Sequence, residues 1–457
     1  MTLSVINPFD QRVYRELPFD TAASLEKKIR AAKTAAGKWR MVPLAERVAA
    51  VRSGLDYFRI HGDAIAADIT AQMGKPITES RNEIKGLFER AEHMLAIAEE
   101  SLAPEILPPK DTLYRRIERE PLGVILNIAA WNYPLLIAVN VVVPALVAGN
   151  SILLKHSART PLCGEHFQEA FGYAPGLVTN LVLSHDQTFS LVRDPRIDHV
   201  VFTGSVGGGR HIHQAAAGRF IDVGLELGGK DPAYVARDAD LTFTVPNVVD
   251  GALYNAGQSC CGVERVYVHR SIYDAFLEKA VDALARYQPG DPMDPGTTLG
   301  PLANRSAMDV LDYQVEDALQ KGARLLAGGG ALDESPGNFY RPTILADVAR
   351  DADIMREESF GPLLPVRAVD NDAQALAEMN ASRYGLTASV WTESRERAEW
   401  FAARLEAGTI YQNRCDYLDP GLPWTGVKDS GRGSSLSRYG YYALTRPKSI
   451  HFRTVTD

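Results

Sequence analysis

Two doubly wound α/β domains with a small β arm for oligomerisation form the fold class this sequence predicts, and three observations carry the prediction. The first is length: 457 residues exceed what one hydrophobic core organises, since cores stop growing beyond roughly 250–300 residues. The second is that, from Gly123 on, short apolar runs at Val124–Ile128, Ser151–Leu154, Leu177–Leu183 and His199–Phe202 alternate with helix-like segments. The third is a similar series after Gly229, with runs at Ala233–Val235, Arg265–His269, Ala323–Ala327, Thr343–Leu345 and Ala388–Trp391. Such alternation favours parallel strands covered on both faces by crossover helices, with ligands at the carboxyl ends of the strands.

Taken in order, the first hundred residues read as helices after a short extended start. Leu25, Ile29, Ala32 and Ala36, then Val48, Val51, Leu55 and Phe58, then Ile84, Phe88, Ala91 and Leu95 recur at helical spacing, each set marking one buried face. Residues 110–120 alternate in polarity between Pro108-Pro109 and Pro121, which predicts an exposed β-hairpin arm. The segment Leu122–Leu154 lacks charge and is long enough to cross a bilayer. Its Asn127, Asn132, Pro134, Asn140, Pro144, Gly149 and Asn150 instead suit a buried strand, turn, helix and second strand. Gly328-Gly-Gly330 reads as a turn, and a C-terminal strand is expected at Lys448–Thr454. The expected boundaries are 1–103 with 122–228 for a dinucleotide-binding domain and 229–432 for a catalytic domain. The arm and C-terminal segment comprise 104–121 and 433–457.

Composition narrows the function. The chain is 46% hydrophobic and 23% charged, as soluble globular proteins are, and its net charge of −8 disfavours nucleic acid and anionic membrane surfaces. Four cysteines are too few for a disulfide framework at this length, and the start of the chain offers no apolar signal-peptide core. A cytoplasmic enzyme acting on a small molecule is expected, with no metal.

Five segments carry candidate chemistry. Asn255-Ala-Gly-Gln-Ser-Cys-Cys-Gly262 sets Cys260 at a helix-to-strand junction, where a thiolate is accessible; a lone cysteine is more often an inert core residue. In Leu225-Glu-Leu-Gly-Gly-Lys230, Glu226 ends an apolar strand and is a candidate base, though a carboxylate there also suits a surface or a cap. Asn132, in Ala130-Trp-Asn-Tyr-Pro134, is an amide in an uncharged segment, suited to a structural hydrogen bond or to an oxyanion. Phe202-Thr-Gly-Ser-Val-Gly-Gly-Gly209 leads a strand through a glycine-rich turn into a helix, which aims backbone N–H groups at a pyrophosphate, but without G-x-G-x-x-G spacing. Glu357-Glu-Ser-Phe-Gly-Pro362 places a carboxylate and an aromatic before a rigid turn.

Together these segments resemble the aldehyde dehydrogenase superfamily, whose W-N-[FY]-P, F-T-G-S, E-L-G-G-K, G-Q-x-C and E-x-F-G-P motifs they match in order. The likeness runs from Asn7-Pro8 to Lys428-x-Ser-Gly-x-Gly433. The resemblance implies an aldehyde-dehydrogenase-like fold and oxidation of an aldehyde to an acid with NAD or NADP. Cys260 would be the nucleophile, Asn132 with the Cys260 N–H the oxyanion site, and Glu226 the base that hydrolyses the thioester. It further implies that Lys155 contacts the adenine ribose region, Gly204 and Ser205 the pyrophosphate, and Glu358 with Phe360 the nicotinamide riboside, with Trp131 beside the nicotinamide end. Ser157, Leu227 and Gly228 would be further cofactor-binding residues. Tyr133, Ile137, Asn140, Ser259, Cys261 and Trp424 would line a mixed aromatic and apolar substrate pocket. Assembly as a homodimer or homotetramer is expected.

The chain departs from the family pattern at two places. Where many members carry K-P-S-E it has Lys155-His-Ser-Ala158, so the carboxylate that repels a 2′-phosphate is missing and NADP acceptance is expected, with Lys155 and Arg159 as candidate phosphate partners. Asn140 stands where succinate-semialdehyde-type members resemble one another in carrying arginine, and Arg414 is the cation considered in its place. A CoA-acylating enzyme, a thiol esterase and a catalytically silent dinucleotide-binding protein are the alternatives. Glu226 argues against the first, and the joint presence of Cys260, Asn132 and Glu226 argues against the last.

Overall fold

In the computed structural model, residues 2–108, 110, 112–332 and 336–453 are described. Pro109 and Asp111 of the expected arm, and Thr454 with the residues after it, lie outside the described residues.

The first sheet has the order Gly431–Arg432, Val223–Glu226, His199–Thr203, Val124–Ala129, Ser151–His156, Val178–Asn180. All its pairings are parallel except that of Gly431–Arg432. Val124–Ala129 and Ser151–His156 are buried throughout, as strands covered on both faces must be. The uncharged segment resolves into these two strands joined by the helix Pro134–Ala148, which begins on a proline suited to the first helical turn. No described helix is long and apolar enough to cross a membrane. The expected strand Leu177–Leu183 contracts to Val178–Asn180, because at the sheet's edge the chain turns away and Val182 is claimed by Asp20.

The second sheet runs Arg324–Ala327, Thr343–Ala346, Leu363–Val369, Val263–His269, Asp231–Val235, Thr387–Trp391, Thr409–Gln412. Two of these strands escaped the sequence pattern. Leu363–Val369 contains Pro365, which ordinarily excludes a central strand, yet it pairs on both sides. Thr409–Gln412 is a short, half-exposed edge.

The helices Ala22–Trp39, Leu44–Met73 and Ile77–Ala96 account for the expected helical start. The last two pack with Pro134–Ala148 over the first sheet in one apolar cluster that includes Val51, Leu55, Phe58, Leu87 and Leu95. The arm is a hairpin of Glu105–Ile106 and Leu113–Pro121, but its main partner is the C-terminal strand Thr445–Arg453, which pairs with it from Thr445↔Pro121 to Arg453↔Leu113. The expected arm and C-terminal strand therefore pair with each other, and the outer edge of Thr445–Arg453 has no strand partner among the described residues.

Candidate active site

The helix Leu241–Leu253 ends in a turn at Tyr254–Gly257 whose last three residues have φ of 53°, 53° and 71°. For Asn255 and Ala256 the left-handed region costs roughly 1–2 kcal/mol each, so neighbours must hold them there. Glu79 Oε2 accepts the Asn255 N–H at 3.0 Å. The Asn255 amide donates to the carbonyls of Asn132 and Gln258, both at 3.1 Å. Gln258 closes the turn by donating to Asn255 O at 3.0 Å and accepting from Ala303 N at 2.9 Å. Asn132 Nδ2 in turn donates to Gln258 O at 3.2 Å, which fixes its amide two residues from Cys260. Two glycines allow the other motifs to close on this loop: a Cβ on Gly257 would lie 2.2 Å from Gly361 O, and one on Gly229 would lie 2.3 Å from Cys260 O.

The loop forms part of the wall of a cavity of about 730 Å³, into which Cys260 is half-exposed. Glu226 and the expected pocket residues Tyr133, Ile137, Asn140, Ser259, Cys261 and Trp424 line the same cavity. Glu226 accepts from Ser435 Oγ at 2.6 Å and Thr203 Oγ1 at 3.3 Å, and burial pushes its pKa above the usual carboxylate range. Cys261 faces Asp416: its Sγ donates to Oδ1 at 3.1 Å, beside Ser259 Oγ at 2.7 Å. The hydrogen bond with Cys260, burial and this carboxylate hold the Cys261 thiol far above its ordinary pKa, which disfavours its thiolate.

The cavity is more charged than the aromatic and apolar pocket expected. One face of Ile77–Ala96 carries Glu79, Glu83 and Arg90 inward, all buried. Glu83 pairs with Lys75 at 2.6 Å and accepts the N–H groups of Leu135 and Leu136 at 2.7 and 3.3 Å, capping the helix that follows Asn132. Burial raises Glu79 to about 8. Arg414 is exposed and lies 3.4 Å from the Tyr417 ring centroid, whereas Arg90 donates to Asn140 Oδ1 at 3.2 Å. Sequence reading missed Glu79, Glu83 and Arg90 because charges at helical spacing ordinarily mark a solvated face. Asp416 and Ser435 lie in loops with no pattern to flag them.

Cofactor candidates gather at the carboxyl ends of the first sheet. Lys155 ends the strand Ser151–His156; burial lowers it to about 8, and no side-chain hydrogen bond or ion pair holds it among the described residues. Ser157 N–H donates to Ala129 O at 2.9 Å. Ala158 is exposed. Arg159 is engaged elsewhere, donating to Ala303 O at 2.9 Å and lying 5.6 Å from the Trp131 ring centroid, which weakens the expectation that it meets a phosphate. Gly204 N–H donates to Glu226 O at 3.0 Å, and Ser205 caps the helix Val206–Ala216. Leu227 packs against Gly209. Trp131 and Phe360 meet edge to face at 5.5 Å. Glu358 accepts the Gly229 N–H at 3.0 Å, lies close against Gly228 and is raised by burial to about 8. The Lys230–Glu264 pair at 2.6 Å anchors this region, since Glu264 also accepts the N–H groups of Ser359 and Phe360 at 2.8 and 2.9 Å.

Comparison with known proteins gives the same reading. The model of the aldehyde dehydrogenase family matches residues 1–450. A succinate-semialdehyde dehydrogenase [NADP(+)] of Deinococcus radiodurans is 35% identical, covering 98% of this chain and 94% of its own length. Lactaldehyde dehydrogenase from Escherichia coli superposes with a TM-score of 0.95 at 33% identity, covering 99% of this chain and 96% of that one. Succinic semialdehyde dehydrogenase from Streptococcus pyogenes, in complex with NADP+, gives 0.94 at 33% identity, covering 99% of this chain and 100% of that one. With residues of four of its five motifs lining one cavity, the chain belongs to the aldehyde dehydrogenase family and oxidises an aldehyde to a carboxylic acid with NAD(P)+.

Proposed function

We propose that Cys260 is the covalent nucleophile of this oxidation, that Asn132 and the Cys260 N–H receive the oxyanion, and that Glu226 activates the water that releases the acid. The observation that carries the reading is the convergence of Cys260 and Glu226 on one cavity, with the Asn132 amide bonded to the loop that bears the cysteine. The Cys260 thiolate adds to the carbonyl carbon, whose π electrons move to oxygen; one fixed donor to that oxygen is worth about 2.7–4 kcal/mol. Oxidation leaves a Cys260 thioester. Glu226, oriented by Ser435 and Thr203, takes a proton from water as the water attacks the thioester carbon, the C–S bond then breaks with Cys260 leaving as thiolate, and the raised pKa of Glu226 makes it the stronger base. That hydrolytic carboxylate favours water over CoA as acceptor. Cys261, its thiolate disfavoured, flanks the site.

The bound dinucleotide supplies the hydride acceptor. Lys155, a buried cation without a side-chain partner among the described residues, fits the adenine ribose and its phosphate, with Ser157 beside it. Gly204 and Ser205 would hold the pyrophosphate, and Trp131, Leu227, Gly228, Glu358 and Phe360 the nicotinamide end. With Ala158 in place of a carboxylate, NADP is accepted. The same reading assigns 1–103 and 122–228 to dinucleotide binding, 229–432 to catalysis, and 104–121 with 433–457 to assembly of a cytoplasmic homodimer or homotetramer.

Steady-state rates with a panel of aldehydes, each with NAD and NADP, test the proposal. Cys260→Ser should abolish oxidation while cofactor binding persists; continued turnover would move the nucleophile elsewhere, and ester hydrolysis without any aldehyde oxidation in the parent would favour a thiol esterase. Ala158→Glu should shift the kcat/KM ratio towards NAD by on the order of tenfold, the size of one lost charge-assisted contact. An unchanged ratio would remove Ala158 from cofactor choice.

A further inference from the structure

Arg90 is a buried guanidinium that lines the cavity beside Cys260 and feels the charges of Glu83 and Glu226 through space, with no direct ion pair to either. It is 9% exposed, on the inward face of Ile77–Ala96. Its Nη1 donates to Leu136 O and Asn140 Oδ1, both at 3.2 Å and both neutral. Among the described residues no carboxylate forms an ion pair with it, although several share the cavity. Each is otherwise engaged: Glu83 with Lys75, Glu79 with the Asn255 N–H, Glu89 with Tyr417, Asp250 with Tyr287, Asp416 with Ser259 and Cys261, Glu226 with Ser435 and Thr203. Burial lowers the pKa of Arg90, but a guanidinium does not give up its charge in a protein. A desolvated cation held on one edge by neutral acceptors is costly unless something anionic completes it. Arg90 lines the cavity shared with Cys260, and among the described residues no group accepts from its Nε or Nη2.

We propose that Arg90 is a specificity-determining residue of this enzyme, and that it selects aldehydes carrying a carboxylate at the end remote from the carbonyl. A carboxylate matches the planar fork of a guanidinium in shape and supplies the missing charge. Asn140 acts as the positioning residue that holds the fork in place. The inference rests on the reading of this cavity as the aldehyde site.

The test compares two aldehydes of equal length, one ending in a carboxylate and one in a methyl group, on the full chain. The parent should prefer the carboxylated aldehyde. Arg90→Met should lower the carboxylated-to-neutral ratio of kcat/KM on the order of a hundredfold, mostly through KM, and Arg90→Lys should fall between, because ammonium keeps the charge but not the fork. A parent that prefers the neutral aldehyde, or a ratio unmoved in Arg90→Met while both rates fall together, overturns the proposal. A measurement on the parent alone covers the case of a variant that does not fold. A short dicarboxylate should inhibit competitively against the aldehyde and its diamide should not, and equal inhibition by both counts against Arg90 as an anion site. Absence of oxidation of either aldehyde by the parent would instead sink the underlying assignment of the cavity.

Discussion

Glu226 shows how one side chain is tuned by its surroundings. Ser435 and Thr203 stabilise its ionised form, but burial outweighs them and raises the pKa. Base catalysis needs the carboxylate, so hydrolysis of the thioester should fail as pH drops through that raised pKa, while formation of the thioester persists. Stopped-flow traces should then show an undiminished first burst of reduced cofactor and a slowing steady state at lower pH. Glu226→Gln should reproduce this at neutral pH, with later cycles slowed roughly 10²–10⁴-fold, the usual contribution of a positioned base. Loss of the burst itself would assign Glu226 to activation of Cys260. Ser435, some two hundred residues further along the chain, could not be linked to Glu226 from the sequence.

The helix Ile77–Ala96 illustrates what an element contributes. Its pattern of Ile84, Phe88, Ala91 and Leu95 was legible and the helix forms, but Ile84 and Phe88 are only partly buried, while Glu79, Glu83 and Arg90 are fully so. Glu79 supports the left-handed turn before Cys260, and its pKa of about 8 has a consequence for stability. Between its ordinary value of 4.5 and about 8 the folded chain binds a proton that the unfolded chain has released, so this group's contribution to stability falls as pH rises through that window. Glu79→Gln keeps an acceptor for the Asn255 N–H and loses the titration. Its Tm should gain on the parent's as pH is raised from about 5 to about 8, and parallel Tm curves would show that Glu79 ionises normally.

At the scale of the molecule, the arm and the C-terminal strand form one sheet whose outer strand, Thr445–Arg453, leaves an edge unpaired among the described residues. Edges of this length invite pairing with another chain. Phe452, Tyr114 and Ile106 are exposed on this sheet. Deletion of the last ten residues removes the partner of Leu113–Glu118 as well as the free edge, so monomeric or insoluble chain is expected on a sizing column. An unchanged assembly size would place the subunit contact elsewhere.

What the sequence determined by itself was local and chemical. Alternating apolar runs marked most strands of both sheets, and five motifs in order identified Cys260, Asn132, Glu226 and the dinucleotide candidates, because close backbone approach, a fixed amide and a strand-end carboxylate each demand particular residue types. It did not disclose Leu363–Val369, because Pro365 argues against a central strand although the segment pairs on both sides. Nor did it disclose the charged lining of the cavity beside Cys260. Only the tertiary structure decided that, since whether a helical stripe of Glu79, Glu83 and Arg90 meets water or a buried site depends on what packs against it. Lys75, Asn140 and the Cys260 loop come from three separate parts of the chain, and they turn that stripe from a solvated face into the wall of the cavity beside Cys260.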